Sequence, residues 1–273
     1  MKNETKSQHL TPDHLLQLKT VTQEVRGEIA DVGSHLEYLP NEVRADLLGN
    51  GLWWACFYEL SMIQHLNLYY HFLGLNTPIQ AALAASDDKI KAFLDFCKNY
   101  QPDEQALDAP AGAETHEGHR ALFVCLLIAL LRQLECVEHE GCYLSDLVEK
   151  VRKGGPESDE AFFKALHIDR TIVSCPTFGE RITRAVLEDD QLFFNNLAKG
   201  LKTKWKKTSP KKQDIHRDLR IVLQATYESG QLQGLSMTEA DVLFIQELAV
   251  YSDEGADPAR SLQRFILRFR NNK

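Results

Sequence analysis

The sequence predicts an all-α protein of about ten or eleven helices, in which an acidic N-terminal helical body is joined to a basic C-terminal helical bundle. Apolar residues recur at helical spacings along most of the 273 residues. Residues that favour helix caps precede most of these segments. Only Thr171 to Ser174 resembles a strand, so helix is expected in more than half of the chain.

The first helix is expected to begin at Thr11 and Pro12, which form a cap and first-turn pair. Residues 52–73 are apolar almost all round and include two tryptophans, so this segment is predicted to run through the core. Two further helices are expected to begin at Thr77 and at Ser86, where capping residues precede apolar segments.

Two breaks divide the chain into expected domains. Residues 101–118 contain two prolines, two glycines and several acids but little to bury, which is typical of a linker. Gly154, Gly155 and Pro156 form the second break. The expected units are an N-terminal helical domain (1–100), central helices (119–156) and a basic C-terminal helical domain (157–273).

The C-terminal domain is predicted to contain helices that start near residues 158, 177 and 188, followed by helices over about 213–228, 238–250 and 259–270. Two of these segments share a pattern: Asp159-Glu160 and Asp189-Asp190 are each followed by a phenylalanine pair, about thirty-one residues apart. Stacked repeats need three or more copies. Two acidic-capped amphipathic helices are therefore the simpler interpretation.

The net charge of −8 is unevenly distributed. Residues 1–190 carry 17 basic and 30 acidic residues, whereas residues 191–273 carry 14 basic and 9 acidic residues. Such asymmetry is typical of an acidic body joined to a region that meets a polyanion or an acidic partner. It is the strongest indication of function in the sequence.

The apolar run from Ala121 to Leu131 has eleven residues, fewer than the roughly eighteen that cross a bilayer, so a core helix and no membrane contact are predicted. The polar first nine residues contain no secretory signal, which favours the cytoplasm. Six cysteines in that compartment are expected to be reduced thiols packed in the interior.

Seven of the fourteen residues from Lys199 to Lys212 are lysine, and Trp205 lies among them. Lysines without intervening acids, together with an aromatic ring that can stack on a base, suit a segment that follows a phosphate backbone. On the next helix, Arg217 and Arg220 are expected to point away from the apolar stripe and to extend the positive surface.

The last helix carries arginines at four-residue spacing on one face and apolar residues on the opposite face. With the helix before it, this segment resembles a helix-turn-helix whose second helix is basic. The residues expected to bind nucleic acid are Lys199, Lys202, Lys204, Trp205, Lys206, Lys207, Lys211, Lys212, Arg217, Arg220, Arg260, Arg264, Arg268 and Arg270.

Two residue pairs, His116 with His119 and His139 with Cys142, have the separation of zinc ligands. The apolar helix between them would hold the pairs about 30 Å apart. A zinc ion shared by all four is therefore not expected, and no other cofactor is predicted.

Arg132 and His139 lie seven residues apart, on one face of that same helix. This spacing resembles the Arg-x(4–6)-His signature of the HEPN ribonucleases, all-helical proteins whose arginine and histidine act on the RNA phosphodiester. The resemblance covers one helix and implies catalytic roles for these two residues. The neighbouring Glu135, Glu138 and Glu140 make the surroundings acidic, which repels phosphate.

The sequence contains no phosphate-binding loop, nucleophile elbow, dinucleotide fingerprint or metalloprotease motif. We therefore predict a non-enzymatic cytoplasmic protein that binds the backbone of nucleic acid, DNA rather than RNA, while its acidic body contacts a protein partner or a second copy. Two alternatives stay open: a helical ribonuclease that uses Arg132 and His139, and an adaptor whose lysines face an acidic protein.

Overall fold

A computed structural model describes residues 9–35, 58–72, 74–99, 116–202, 210–251 and 257–271. These residues form thirteen α-helices, a short 3₁₀ turn and a short π-helical segment, and none of them forms a strand. The all-α prediction is confirmed. The strand-like residues lie in the 3₁₀ turn Arg170–Ser174, where the Asp169 carboxylate accepts a hydrogen bond from the Thr171 amide (2.8 Å).

Four helices make up the described N-terminal part: α1 (Pro12–His35), α2 (Met62–Phe72), α3 (Asn76–Ala84) and α4 (Lys89–Asn99). Helix α1 begins as predicted, because the Thr11 hydroxyl accepts a hydrogen bond from the His14 amide. The expected core segment over 52–73 is interrupted before Met62, where Ser61 and Gln64 cap α2. Residues 36–57 lie outside the described residues.

Helix α5 (His116–Glu140) contacts α2 and both of the cores described below. It contains the long apolar run. In the segments that the structure covers, no helix is long and apolar enough to cross a membrane. Residues 101–115 of the expected linker lie outside the described residues, and residues 116–118 form the first turn of α5.

The central helices are α6 (Leu144–Lys153), α7 (Ser158–Ile168), α8 (Pro176–Leu187) and α9 (Gln191–Lys202). Helix α6 ends at Gly154, and Gly154 and Gly155 both have positive φ (70° and 95°). Helices α6 and α7 nevertheless pack against each other across this break. The helices on the two sides of residue 157 therefore share one core, which we call the central core.

The centre of the central core is aromatic. The Phe162 ring lies 4.7 Å from the Phe178 ring and 5.0 Å from the Phe193 ring, measured between centroids. At its edge, the Arg181 guanidinium donates to the carboxylates of Asp159 (2.7 Å) and Asp190 (3.1 Å). The two similar segments of the sequence thus meet in space, because they share one arginine and pack their phenylalanines together.

The C-terminal helices are α10 (Pro210–Glu228), α11 (Gln231–Gly234), α12 (Met237–Asp241) and α13 (Pro258–Asn271). The helix predicted over 238–250 is shorter than expected, because α12 passes into the π-helical segment Val242–Glu247 and Ala249 then adopts φ 46°. Residues 252–256 lie outside the described residues.

These helices enclose the C-terminal core, whose buried members include Leu219, Phe244 and Ile266. Residues from the start of the chain also belong to the C-terminal core. Leu15 is 2% exposed within this core, and the Leu10 amide donates to the Gln231 side chain (2.8 Å). The C-terminal core therefore joins segments that are more than two hundred residues apart in sequence.

Candidate nucleic-acid interface

Helix α13 is fixed in place by its cap and by one apolar face. The Asp257 carboxylate accepts a hydrogen bond from the Arg260 amide (3.0 Å), and Pro258 occupies the first helical position, where no amide donor is needed. Leu262 and Ile266 are completely buried in the C-terminal core. The opposite face of α13 is consequently directed to solvent.

That solvent face carries Arg260, Arg264 and Arg268, and all three are exposed. Their side chains have no hydrogen bond or ion pair with any residue in the described part of the chain. The three guanidinium groups lie on one side of a rigid helix and are available to an external anion. We call this set the arginine stripe.

Arg270 belongs to the same helix but faces the interior. Its guanidinium donates hydrogen bonds to the backbone carbonyls of Leu232 and Leu235. These bonds join the end of α13 to α11 and to Leu235, the residue that follows α11. Arg270 therefore stabilises the C-terminal bundle and is not part of the arginine stripe.

Arg217 and Arg220, expected on the positive surface, are engaged with α5. The Arg217 guanidinium lies 3.3 Å from the Glu138 carboxylate, and Arg220 donates to the Glu138 backbone carbonyl. Arg220 also lies over the Phe265 ring (5.5 Å), and burial lowers its pKa. Helix α10 packs on α5 as well as on the C-terminal core, so its second face is covered.

The structure describes the lysine run only in part. Lys199 and Lys202 are exposed at the end of α9. Lys211 and Lys212 lie in the first turn of α10. Lys204, Trp205, Lys206 and Lys207 lie outside the described residues, so their predicted role stays a prediction.

Several basic residues of the central helices are paired with acids. The Lys164 ammonium lies 2.7 Å from the Glu160 carboxylate, and Arg152 lies 3.2 Å from Glu59. Arg181 binds two carboxylates, as described above. The arginine stripe differs from these residues because its charge is not neutralised by acids in the described part of the molecule.

The histidine pairs are held apart by a continuous helix. Helix α5 runs without a break from His116 to Glu140. The rise of an α-helix separates the two ends by about 30 Å or more. Within the described ranges, no three histidine, cysteine or acidic side chains form a cluster that could hold a metal ion.

Arg132, the arginine of the HEPN-like spacing, faces carboxylates. It donates to Glu135, and its Nε lies 3.6 Å from the Asp169 carboxylate. The Tyr58 hydroxyl donates to the same Asp169, and burial raises the Tyr58 pKa above its usual value. The Arg132 guanidinium therefore interacts with the carboxylates of Glu135 and Asp169. This arrangement does not support phosphate binding at Arg132.

One interaction between side chains was missed from the sequence. Burial, followed by an interaction with the Cys142 side chain, raises the pKa of the Cys136 thiol well above its usual value. The signal was Gly141, which lies between the helix end and Cys142. A glycine there reverses the chain direction and brings the following residue back onto the helix.

No family model, curated protein or solved structure matches this chain. The indications of function are therefore the chemistry and placement of its own residues.

Proposed function

We propose that this protein binds the phosphate backbone of DNA through the arginine stripe, with Lys199, Lys202 and the rest of the lysine run adding further contacts. The observation that carries the proposal is the exposure of three arginines on one face of a helix whose other face is buried. A rigid support lowers the entropy that is lost when the side chains bind.

The spacing of the stripe suits a nucleic-acid strand. Eight residues of helix rise about 12 Å, so Arg260 and Arg268 span a distance that covers several phosphates. Guanidinium groups bind phosphate oxygens through two parallel hydrogen bonds, which favours arginine over lysine at such a surface. Contacts of this kind position the protein without reading the base sequence.

Backbone binding of this kind is sensitive to salt. Each phosphate contact releases counterions, so the logarithm of the affinity falls with the logarithm of the salt concentration, with a slope of about −0.9 per contact on duplex DNA. Fluorescence anisotropy of a labelled duplex across a salt series measures this slope. We expect the full-length protein to bind at low salt and to show a steep slope.

The variant Arg260→Gln/Arg264→Gln/Arg268→Gln should flatten the slope by up to about 2.7, because as many as three phosphate contacts are removed. Its matched control is Lys91→Gln/Lys98→Gln/Lys153→Gln, which changes the net charge equally at exposed positions of α4 and α6. The control should keep the slope of the unmodified protein. Equal losses in both triple variants would show a general charge effect and contradict a defined interface.

A second variant tests the lysine run. Replacing Lys202, Lys204, Lys206, Lys207, Lys211 and Lys212 with glutamine should flatten the salt slope further. The circular dichroism spectrum should stay that of the unmodified protein. Binding of single-stranded RNA measured in the same way tests the preference for DNA, and tighter binding of RNA would reverse that part of the proposal.

An exposed apolar surface favours the adaptor as a second candidate. Val186, Leu187 and Leu192 lie at the connection of α8 and α9, and Leu187 is 82% exposed. Large apolar side chains grouped on a surface are typical of protein contacts. If the protein binds polyglutamate as tightly as DNA, or binds no nucleic acid at low salt, the adaptor function replaces the DNA-binding function.

A further inference from the structure

The outer side of α8 is exposed to solvent. The inner side of this helix packs on α6 and α9 and contributes Phe178 and Ala185 to the central core. The outer side carries Glu180 and Leu187, followed at the helix end by Glu188, and all three are exposed. The carboxylates of the two glutamates have no hydrogen bond or ion pair with any residue in the described ranges. We call these three residues the acidic face of α8.

The end of this face is fixed by the turn between α8 and α9. The Asp190 amide donates to the Ala185 carbonyl (2.9 Å), and the Asp189 amide donates to the Val186 carbonyl (3.3 Å). These bonds form a Schellman ending, in which Asp189 occupies the left-handed position with φ 53°. Leu187 is therefore 82% exposed on a well-defined turn. A surface that is already ordered loses little entropy when it binds a partner.

The solvent side of α13 has the same residue spacing as the acidic face, with the opposite charge. Arg260 and Arg268 are eight residues apart, like the two glutamates of the acidic face. Each pair therefore spans about 12 Å along its helix. The residue before the last charge is an exposed leucine on both helices, Leu187 on α8 and Leu267 on α13. Parallel alignment of the two helices would pair each glutamate with an arginine and the two leucines with each other.

Arg184 would lie opposite Arg264 in this alignment, but its charge is directed elsewhere. One guanidinium nitrogen of Arg184 would lie 3.8 Å from a Cβ atom on Gly154, at the end of α6. The carbonyl end of a helix attracts a cation. Arg184 forms no ion pair with Glu180 or Glu188. The charge that the acidic face presents to a partner is therefore that of its glutamates.

We propose that the acidic face of α8 binds the arginine stripe of a second copy of this protein. Both surfaces are exposed in one molecule, so they do not cover each other within the same chain. A second copy presents the charges and the leucine at the required spacing. Opposite charges select the alignment of the two helices, and the leucine contact removes apolar surface from water.

The contact has two consequences. One pair of helix faces is smaller than a standard protein interface, so the association should be weak. A copy whose arginine stripe is occupied in this way cannot use it for DNA, so self-association would limit DNA binding at high protein concentration. The inference does not rest on DNA binding, because it requires only the two surfaces.

Sedimentation velocity of the full-length protein tests this proposal. At about 50 mM salt, the weight-average sedimentation coefficient should rise with protein concentration up to about 500 µM. At about 1 M salt, the association should be at least about tenfold weaker, because exposed charges are screened. A protein that sediments as a monomer at every concentration in low salt, or an association that salt does not weaken, would overturn the proposal.

Two charge reversals identify the surfaces. Glu180→Lys/Glu188→Lys reverses the acidic face, and Arg260→Glu/Arg268→Glu reverses the two ends of the arginine stripe. Each variant alone should associate at least about tenfold more weakly than the unmodified protein, because like charges then meet. An equimolar mixture of the two variants should regain association, since each variant meets opposite charges on the other. A mixture that stays as weak as its components would show that the assigned surfaces are wrong.

Matched controls make the same changes in charge at other exposed positions. They are Asp13→Lys/Asp87→Lys and Lys91→Glu/Lys98→Glu. Both should associate like the unmodified protein, and losses equal to those of the two charge reversals would show a general charge effect. Circular dichroism checks that each variant is folded. If a charge reversal does not fold, the salt and concentration dependence of the unmodified protein decides the proposal.

DNA binding by Glu180→Lys/Glu188→Lys separates this proposal from the proposed function. This variant keeps the arginine stripe, so it should bind duplex DNA at least as tightly as the unmodified protein while it remains a monomer. Self-association without any DNA binding in the unmodified protein would contradict the proposed function and leave the contact between copies supported. DNA binding by an unmodified protein that stays monomeric in low salt would have the opposite meaning.

Discussion

Arg181 at the edge of the central core and the arginine stripe on the C-terminal core have opposite surroundings. In the central core, Arg181 is surrounded by the carboxylates of Asp159 and Asp190 and lies over the Phe193 ring (4.2 Å). In the C-terminal core, Arg270 and Arg220 bind backbone carbonyls, and the arginine stripe has no acidic partner among the described residues. Arg181 is therefore neutralised by acids, whereas the three arginines of the stripe keep their charge exposed to solvent.

The two cores also differ in how the chain assembles them. Most of the central core comes from consecutive helices, α6 to α9, whereas the C-terminal core needs Leu10 and Leu15 from the start of the chain. Contacts that are close in sequence cost less loop-closure entropy than contacts across two hundred residues. The arginine stripe, which we propose binds DNA, therefore lies on the core that includes residues from the start of the chain.

The largest expected effect is on the aromatic centre of the central core. Phe162 is completely buried and contacts the rings of Phe178 and Phe193. Phe162→Ala should lower the free energy of unfolding by about 3–5 kcal/mol, because a ring-sized cavity forms. Urea denaturation measures the change. The exposed Leu192→Ala is the control, with an expected change within about 0.5 kcal/mol.

Leu15→Ala tests whether the N-terminus supports the C-terminal core. Leu15 is 2% exposed there, so the loss of its side chain should cost about 2–4 kcal/mol. Hydrogen exchange should show the largest loss of protection in α10 and α13, which each contribute three of the thirteen buried residues of this core. A larger loss of protection in α7 than in α10 would contradict the assignment of Leu15 to the C-terminal core.

Low pH should weaken the contact between Arg181 and Asp190 at the edge of the central core. A backbone hydrogen bond from Phe193, followed by the bond from Arg181, lowers the Asp190 pKa. Stability from this carboxylate is present above the unfolded pKa of about 3.9 and is lost as pH falls through the lower folded pKa. Asp190→Asn should therefore be less stable than the unmodified protein at neutral pH, and this difference should shrink below about pH 4.

Urea midpoints measured across this pH range provide the test. Asp189→Asn is the matched control, because Asp189 neighbours Asp190 but accepts its hydrogen bond from the Gln191 side chain rather than from Arg181. Asparagine also tolerates the positive φ of this position (53°). A difference that persists unchanged into acid would show that Asp190 acts by packing and not by charge.

The sequence predicted the helices well because their ends are encoded locally. Thr11, Gly154 and Asp257 each start or end a helix through contacts within a few residues, and such signals need no tertiary information. The π-helical segment after α12 was not predicted, because its hydrogen bonds shift by one residue without a change in the apolar pattern. The contact of Asp159 and Asp190 with the same arginine, Arg181, was also not predicted, because it depends on packing between helices.

The site was predicted less completely than the fold. A single apolar stripe on α10 implied that Arg220 faces solvent, but this helix packs on α5 as well as on the C-terminal core. Helical periodicity identifies one buried face and cannot show that a second helix covers the other. The arginine stripe could be identified because α13 buries only one face.

The smallest effect on stability distinguishes the arginine stripe from the paired arginines. Arg264 is exposed, and its side chain has no partner among the described residues. Arg264→Ala should therefore change the free energy of unfolding by less than about 0.5 kcal/mol. Arg181→Ala should cost more, since it leaves two carboxylates without their cation. In DNA binding the order should reverse, with a modest loss of affinity for Arg264→Ala and none for Arg181→Ala at a temperature where both variants are folded. Loss of stability in Arg264→Ala would show that the stripe is part of the fold, and the case for an interface on that face of α13 would no longer hold.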